Sequence, residues 1–197
     1  MQRRTTAPLI WFGCLAALLL MFVSVSSSAA GNEVPVALRA AIIMKATGYE
    51  RGFAGRSGTA VVAVVLGSSD NAKADGAAVA AALESLFKKT KMGNRSGKVV
   101  RIEHVSQSET NSKLSEAKAE LVYVADGLEG IASDIPAKDG SVRRIVACSD
   151  GSKVKGGCVL GVERSGEKSR LVVNLARANS VGLRFPPELL GLARVVR

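Results

Sequence analysis

Aromatic side chains make up only 4% of the chain, and His104 is its single histidine. Tyr49, Phe53, Phe87, Tyr123 and Phe185 stand singly, so no basic block is interleaved with aromatics as a base-stacking platform requires. One imidazole makes any Ser-His-acid arrangement depend on His104. That residue lies in the alternating run Lys98–Val105 on the same side as Val100 and Ile102, which reads as a structural position. The acids are spread along the chain with no recognisable pair for glycoside chemistry. The glycine-rich stretches at 55–58, 127–130 and 156–157 lack the lysine-serine ending of a phosphate loop. No catalytic residue, metal ligand set or cofactor motif is expected from this pattern, and no enzyme activity. After residue 30 there is also no second long apolar run, no internal repeat and no low-complexity tract.

What is present begins at the N-terminus. Arg3 and Arg4 precede an apolar stretch from Leu9 to Val25, which ends in Ser28-Ala29-Ala30. A positive tip, a short apolar core and small residues at the exit are the three parts of a secretory signal peptide. The expectation is cleavage near Ala30, giving residues 1–30 as the signal and 31–197 as one exported domain in the periplasm. An uncleaved anchor is the rival, but 17 apolar residues are at the short limit of a membrane span. Cys14 sits inside the apolar core and does not close it, which argues against lipid attachment.

Loss of Arg3 and Arg4 lowers the formal charge from +10 to +8. Without aromatics to stack bases, this basic balance reads as a cationic surface suited to an envelope rich in anionic lipid and polymer, with no nucleic-acid partner. Cys148 and Cys158 remain after cleavage. An even pair at short range in an oxidising compartment is read as a disulfide. A metal site is the rival reading, but two thiolates and one distant histidine do not make a tetrahedral zinc site.

Periodicity sets out the rest. Val34–Tyr49 is expected to be a helix, Ala60–Leu66 a strand buried on both faces, and Lys73–Thr90 a helix with Val79, Leu83, Leu86 and Phe87 on one side. Lys98–Val105 is expected as a strand near the sheet edge, Asn111–Ala119 as a helix, and Leu121–Ala125 and Arg144–Cys148 as buried strands, with a helical turn near 128–133. The polar, glycine-rich stretch 149–157 reads as a loop. A hairpin, 158–164 with 170–175, a turn at 176–180 and a last helix from Pro186-Pro187 through Val196 complete the chain. The expected fold class is α/β: three layers, a mostly parallel sheet with helices on both faces, and a C-terminal antiparallel hairpin plus closing helix.

The final third runs Gly156-Gly157-Cys158-Val159-Leu160-Gly161, then Val173-Asn174-Leu175-Ala176-Arg177-Ala178, then Gly182-Leu183-Arg184, and closes with Leu189-Leu190-Gly191-Leu192-Ala193-Arg194. This order resembles the YfiR-like family of bacterial periplasmic regulatory proteins, with layout and length agreeing over roughly 34–196. The resemblance implies an exported, often dimeric α/β domain that regulates without catalysis. Its partner would be the extracytoplasmic sensor domain of an inner-membrane diguanylate cyclase or sensor kinase, held inactive so that cyclic-di-GMP and biofilm output fall. Cys148 and Cys158 match one disulfide of the family, while a second family bridge has no counterpart here. Tyr49-Glu50-Arg51-Gly52-Phe53 replaces the aromatic-Trp-Pro that commonly follows the first helix. The alternative reading is a periplasmic small-ligand or anion-binding module that uses helix starts and the basic surface.

Overall fold

Ala60–Leu66 (β1) contains no polar residue, and all but its last side chain are buried. Alternate residues of this strand face two separate apolar cores. Val62 and Val64 belong to one and Ala63 and Val65 to the other, so the sheet is covered on both sides. The computed structural model describes residues 33–197. The expected signal peptide, residues 1–30, lies outside the described residues.

Val36–Gly48 (α1) is followed by a single turn, Arg51–Ala54 (α2), and then by β1. Asp70–Phe87 (α3) leads to the edge strand Gly97–Glu103 (β2), and Gln107–Glu116 (α4) leads to Leu121–Val124 (β3) on the other side of β1. A 3-10 helix at Glu129–Asp134 and a small hairpin, Lys138–Asp139 (β4) with Val142–Arg143 (β5), precede Ile145–Cys148 (β6). Leu160–Ser165 (β7) and Lys168–Asn174 (β8) form the antiparallel hairpin, followed by Leu175–Ser180 (α5), Pro187–Leu192 (α6) and Arg194–Val196 (β9). The seven-stranded sheet has the order β2-β1-β3-β6-β7-β8-β9 and is parallel except between β7 and β8. One face is covered by α1, α3 and the α5–α6 region through Ile43, Val79, Leu83, Ala178 and Leu183. The other is covered by α4 and the 3-10 segments through Leu114, Ala132, Ile135 and Val154. The expected three-layer class and the C-terminal hairpin with its closing helix are present.

Several boundaries differ from the periodic reading, each for a local reason. The helices α3 and α4 begin earlier than their apolar stripes suggest because Ser69 and Ser106 cap them, accepting from the amides of Ala72 and Glu109 at 3.2 Å each. The closing helix stops at Leu192. Ala193 is extended, and the β-branched pair Val195-Val196 joins the sheet beside β8, which periodicity alone had read as more helix. The stretch 149–157 is not a slack loop. Asp150 accepts from the Ser152 amide at 2.8 Å and starts a 3-10 helix, Gly151–Gly156. The β4–β5 hairpin has no counterpart in the periodicity, since two-residue strands leave no period to read.

Two glycines of the final motif are fixed by space. Gly161 faces Gly151, and a Cβ on it would fall 2.8 Å from the Gly151 Cα and 2.5 Å from Val154 Cγ2, so the 3-10 helix lies directly on β7. Gly157 has φ 114°, and a Cβ there would meet the backbone nitrogen of Ser133 at 2.5 Å. Gly157→Ala should therefore lower unfolding free energy by about 2 kcal/mol or more, from combined strain and collision. A denaturant midpoint equal to that of the parent would refute this account.

Candidate functional site

The sheet order places β2 and β3 on opposite sides of β1. The connections leaving β1 and β3 therefore turn to different faces, and a crevice opens at the carboxyl ends of the strands. A cleft of about 600 Å³ lies there, bounded by the first turns of α1 and α3, Asp126 after β3, and Ser149, Asp150 and Lys153 after β6.

Its floor is a buried ion pair. Arg39 of α1 meets Asp75 of α3, with side-chain exposures of 9% and 12%. Arg39 also donates from Nη1 to the Ser149 carbonyl at 3.3 Å, and its guanidinium carbon lies 5.9 Å from the Tyr123 ring centre. The second oxygen of Asp75 accepts from the Tyr123 hydroxyl at 3.0 Å and from the Asp126 amide at 3.1 Å. Five segments thus converge on one carboxylate and one guanidinium: α1, α3, β3, and the turns after β3 and β6. Burial pushes the Tyr123 phenol well above its ordinary range, against the opposing pull of Arg39, so this hydroxyl acts as a neutral donor.

The rim is a second charged cluster. Lys153 Nζ donates to Asp126 Oδ1 at 2.9 Å and to Glu129 Oε1 at 3.0 Å, and Ser149 Oγ lies 3.3 and 3.1 Å from the same two oxygens. The hydrogen bond from Lys153 holds the Asp126 carboxyl below its usual value. The hydrogen bond to Asp126 in turn raises the lysine above its own. The cluster offers no imidazole to activate Ser149, and the carboxylates beside it are tied to Lys153. It is a polar, preorganised wall at the rim of the cleft.

His104 lies elsewhere, just after β2. Its Nδ1 is 2.9 Å from the hydroxyl of Thr110, a buried residue of α4. Among the described residues, no group of three or more His, Cys, Asp or Glu is placed to hold a metal ion. Neither Arg39 nor Asp75 stands out by sequence motif. The readable signal was charge on an apolar stripe: Asp75 shares the buried side of α3 with Ala72, Gly76 and Val79, and Arg39 lies one turn before Ile43 on the buried side of α1.

Comparison with known families matches residues 36–194 to the family described as YfiR/HmsC-like. The chain belongs to that family. Comparison with curated proteins gives no significant match. Among solved structures, the ABC domain in complex with L-Trp from Streptococcus pneumonia superposes with a TM-score of 0.55 at 16% identity, covering 82% of this chain and 62% of that one. A conserved domain protein from Vibrio cholerae O1 biovar El Tor superposes with a TM-score of 0.56 at 14% identity, covering 83% and 60%. The YfiR/HmsC-like chain thus spans about three-fifths of the length of these two structures, and at such identity they share its fold alone.

Within the stretch matched to the YfiR/HmsC-like family lie both residues of the floor, the rim and both cysteines. Cys148 ends β6 and Cys158 precedes β7. They are joined in a disulfide with Cα atoms 5.9 Å apart, and both are fully buried. The bridge closes the segment that carries Ser149, Asp150 and Lys153 to the cleft, so cross-link and cleft wall form one unit.

Two outcomes are expected here. Arg39→Met leaves the largely buried Asp75 carboxylate without its counter-charge and should cost about 3 kcal/mol of stability. The double variant Arg39→Met/Asp75→Leu should recover much of that loss, and additive losses in the cycle would contradict the pairing. Opening the disulfide, with reductant or by Cys158→Ser, removes a constraint on an eleven-residue loop worth roughly 3 kcal/mol by chain entropy. Melting curves that do not change with reductant would show that the bridge has no such part.

Proposed function

We propose that this chain is an exported regulator of the cell envelope. Residues 1–30 serve as a secretory signal removed near Ala30, and residues 31–197 work as a single domain in the periplasm. There the domain binds the extracytoplasmic sensor part of an inner-membrane signalling protein, a diguanylate cyclase or a sensor kinase, and holds it inactive, which lowers cyclic-di-GMP output. The single observation that carries this reading is membership of the YfiR/HmsC-like family over 36–194. The rigid cleft wall, whose polar groups are mutually engaged, supports a role in recognition rather than bond-making. The disulfide is read as a structural clamp on that wall, because no second cysteine pair exists downstream of residue 30 to exchange with it.

A second reading is favoured by the cleft itself. A crevice of about 600 Å³ at the switch point of a parallel sheet is where α/β domains of this kind take small ligands. The fold neighbour from Streptococcus pneumonia was crystallised with L-Trp. A small polar molecule held here would control the regulator instead of replacing its role.

The two readings separate experimentally. Affinity capture from membrane extract with the exported protein should recover a membrane signalling protein, and recovery of none would remove the first reading. A thermal-shift panel of amino acids, amines, anions and cell-wall fragments should leave the melting temperature unchanged if the domain works only through its protein partner. A saturable rise would establish the second reading, since a ligand that binds only the folded state stabilises it by mass action.

A further inference from the structure

The charges of the described residues are divided between the two ends of the sheet. β1, β2 and β3 run in the same direction, so residues preceding them lie at one edge and residues following them at the other. The following edge carries the cleft, where the carboxylates of Asp75, Asp126, Glu129 and Asp150 are accompanied by Arg39 and Lys153. The preceding edge is basic.

At that basic edge α1 and α3 end side by side. Gly48 backs onto Gly93 so closely that a Cβ on it would fall 2.6 Å from the Gly93 nitrogen. A shallow groove of about 550 Å³ opens there between Lys45, Tyr49, Leu86 and Lys91. Lys88 and Lys89 directly follow α3. Lys98 is in register with Val61, and Lys118 stands two residues before Glu120, whose amide bonds the Val61 carbonyl, so both join the same edge. All six of these lysines are exposed. The carboxylates nearby are mostly withdrawn: Glu120 is buried against Arg95 and Arg56, and buried Glu50 accepts from the Arg184 amide at 3.0 Å. Glu116 and Glu84 are the exposed exceptions, and Glu84, one turn before Lys88, is paired with Arg101 at 2.9 Å.

A lysine near each helix end complements the helix dipole, but six around one edge exceed that need. Flexible point charges without a pocket to fix a phosphate or carboxylate in two-pronged fashion suit a diffuse anionic surface rather than one defined anion. Tyr49, 50% exposed and lining the groove with Lys45 and Lys91, has the amphipathic ring that settles at a membrane–water boundary. Among the described residues no helix is long and apolar enough to cross a membrane, so such contact is peripheral. We propose that this edge of the domain rests on an anionic lipid surface, with the cleft facing away from it. The contact is independent of which signalling partner the domain regulates. Each lysine brought near the surface strengthens binding on the order of fivefold, and the attraction is screened by salt.

The test uses the protein as exported by cells and recovered from the envelope. A Lys88→Glu/Lys89→Glu/Lys91→Glu variant and a control, Lys155→Glu/Lys168→Glu/Arg170→Glu, are prepared identically. The control makes the same change in net charge at the cleft edge and the tip of the β7–β8 hairpin. Each protein is sedimented with vesicles of phosphatidylcholine alone or with added phosphatidylglycerol, at low and high salt. The parent should bind only the anionic vesicles and be released by salt. The first variant should lose on the order of 100-fold in affinity, and the control should keep most of it. Equal losses in the two variants, or parent binding no better to anionic than to neutral vesicles, would overturn the proposal.

Discussion

The Arg39–Asp75 pair is the constraint on which the rest of the architecture depends. Helices laid on a sheet through Val, Leu and Ala can slide, because apolar contact is non-directional. A largely buried guanidinium and carboxylate resist this, since displacement leaves each charge poorly compensated. Asp75 fixes α3 against β3 through the Tyr123 hydroxyl and against the following turn through the Asp126 amide, while Arg39 fixes α1 against the Ser149 carbonyl. The register of two helices, one strand and two loops is therefore set by a single buried pair. The cleft exists because these parts are held apart at fixed spacing around it.

A similar logic operates at the opposite edge, with a different chemical outcome. Glu120, at the start of β3, is gripped by Arg95 at 2.5 and 3.0 Å and by Arg56 at 3.0 Å, and Arg95 lies 4.2 Å from the Phe53 ring centre. This ties α2 and the turn before β2 to the base of the sheet. One edge uses its buried pair to support a polar crevice, and the other buries a single carboxylate, Glu120, between two arginines beneath a rim of exposed lysines.

Much of the fold could be read from the chain because its signals were strong and local. The unbroken run Ala-Val-Val-Ala-Val-Val-Leu allows little but a strand buried on both faces, and the alternation in Lys98–Val105 marked β2 as the edge it occupies. The β7–β8 hairpin was visible from two strand-like segments separated by the polar turn Ser165-Gly166-Glu167-Lys168-Ser169. The cleft was not visible, for a physical reason. Its groups come from α1, α3, β3 and the β6–β7 connection, separated by as many as 110 positions in the case of Arg39 and Ser149, and no periodicity links them. The 3-10 helix at 151–156 is not legible because its glycine and lysine content reads as a loop, while its order comes from the Asp150 cap and from Gly161 allowing it to lie against β7. The C-terminal strand was missed because Leu189 to Val196 satisfies helical spacing until Ala193 turns extended.

That short strand has a consequence of its own. Without β9, the flank of β8 would present Leu171, Val172 and Val173 along an open row of amides and carbonyls, a sticky template for a neighbouring chain. Three residues, Arg194–Val196, occupy that row, and Arg194 tethers them by gripping Glu163 at 2.6 and 2.7 Å. Shortening the tail, or loosening it by removing Glu163, would uncover the row, and clumping would then appear before any loss of the central sheet.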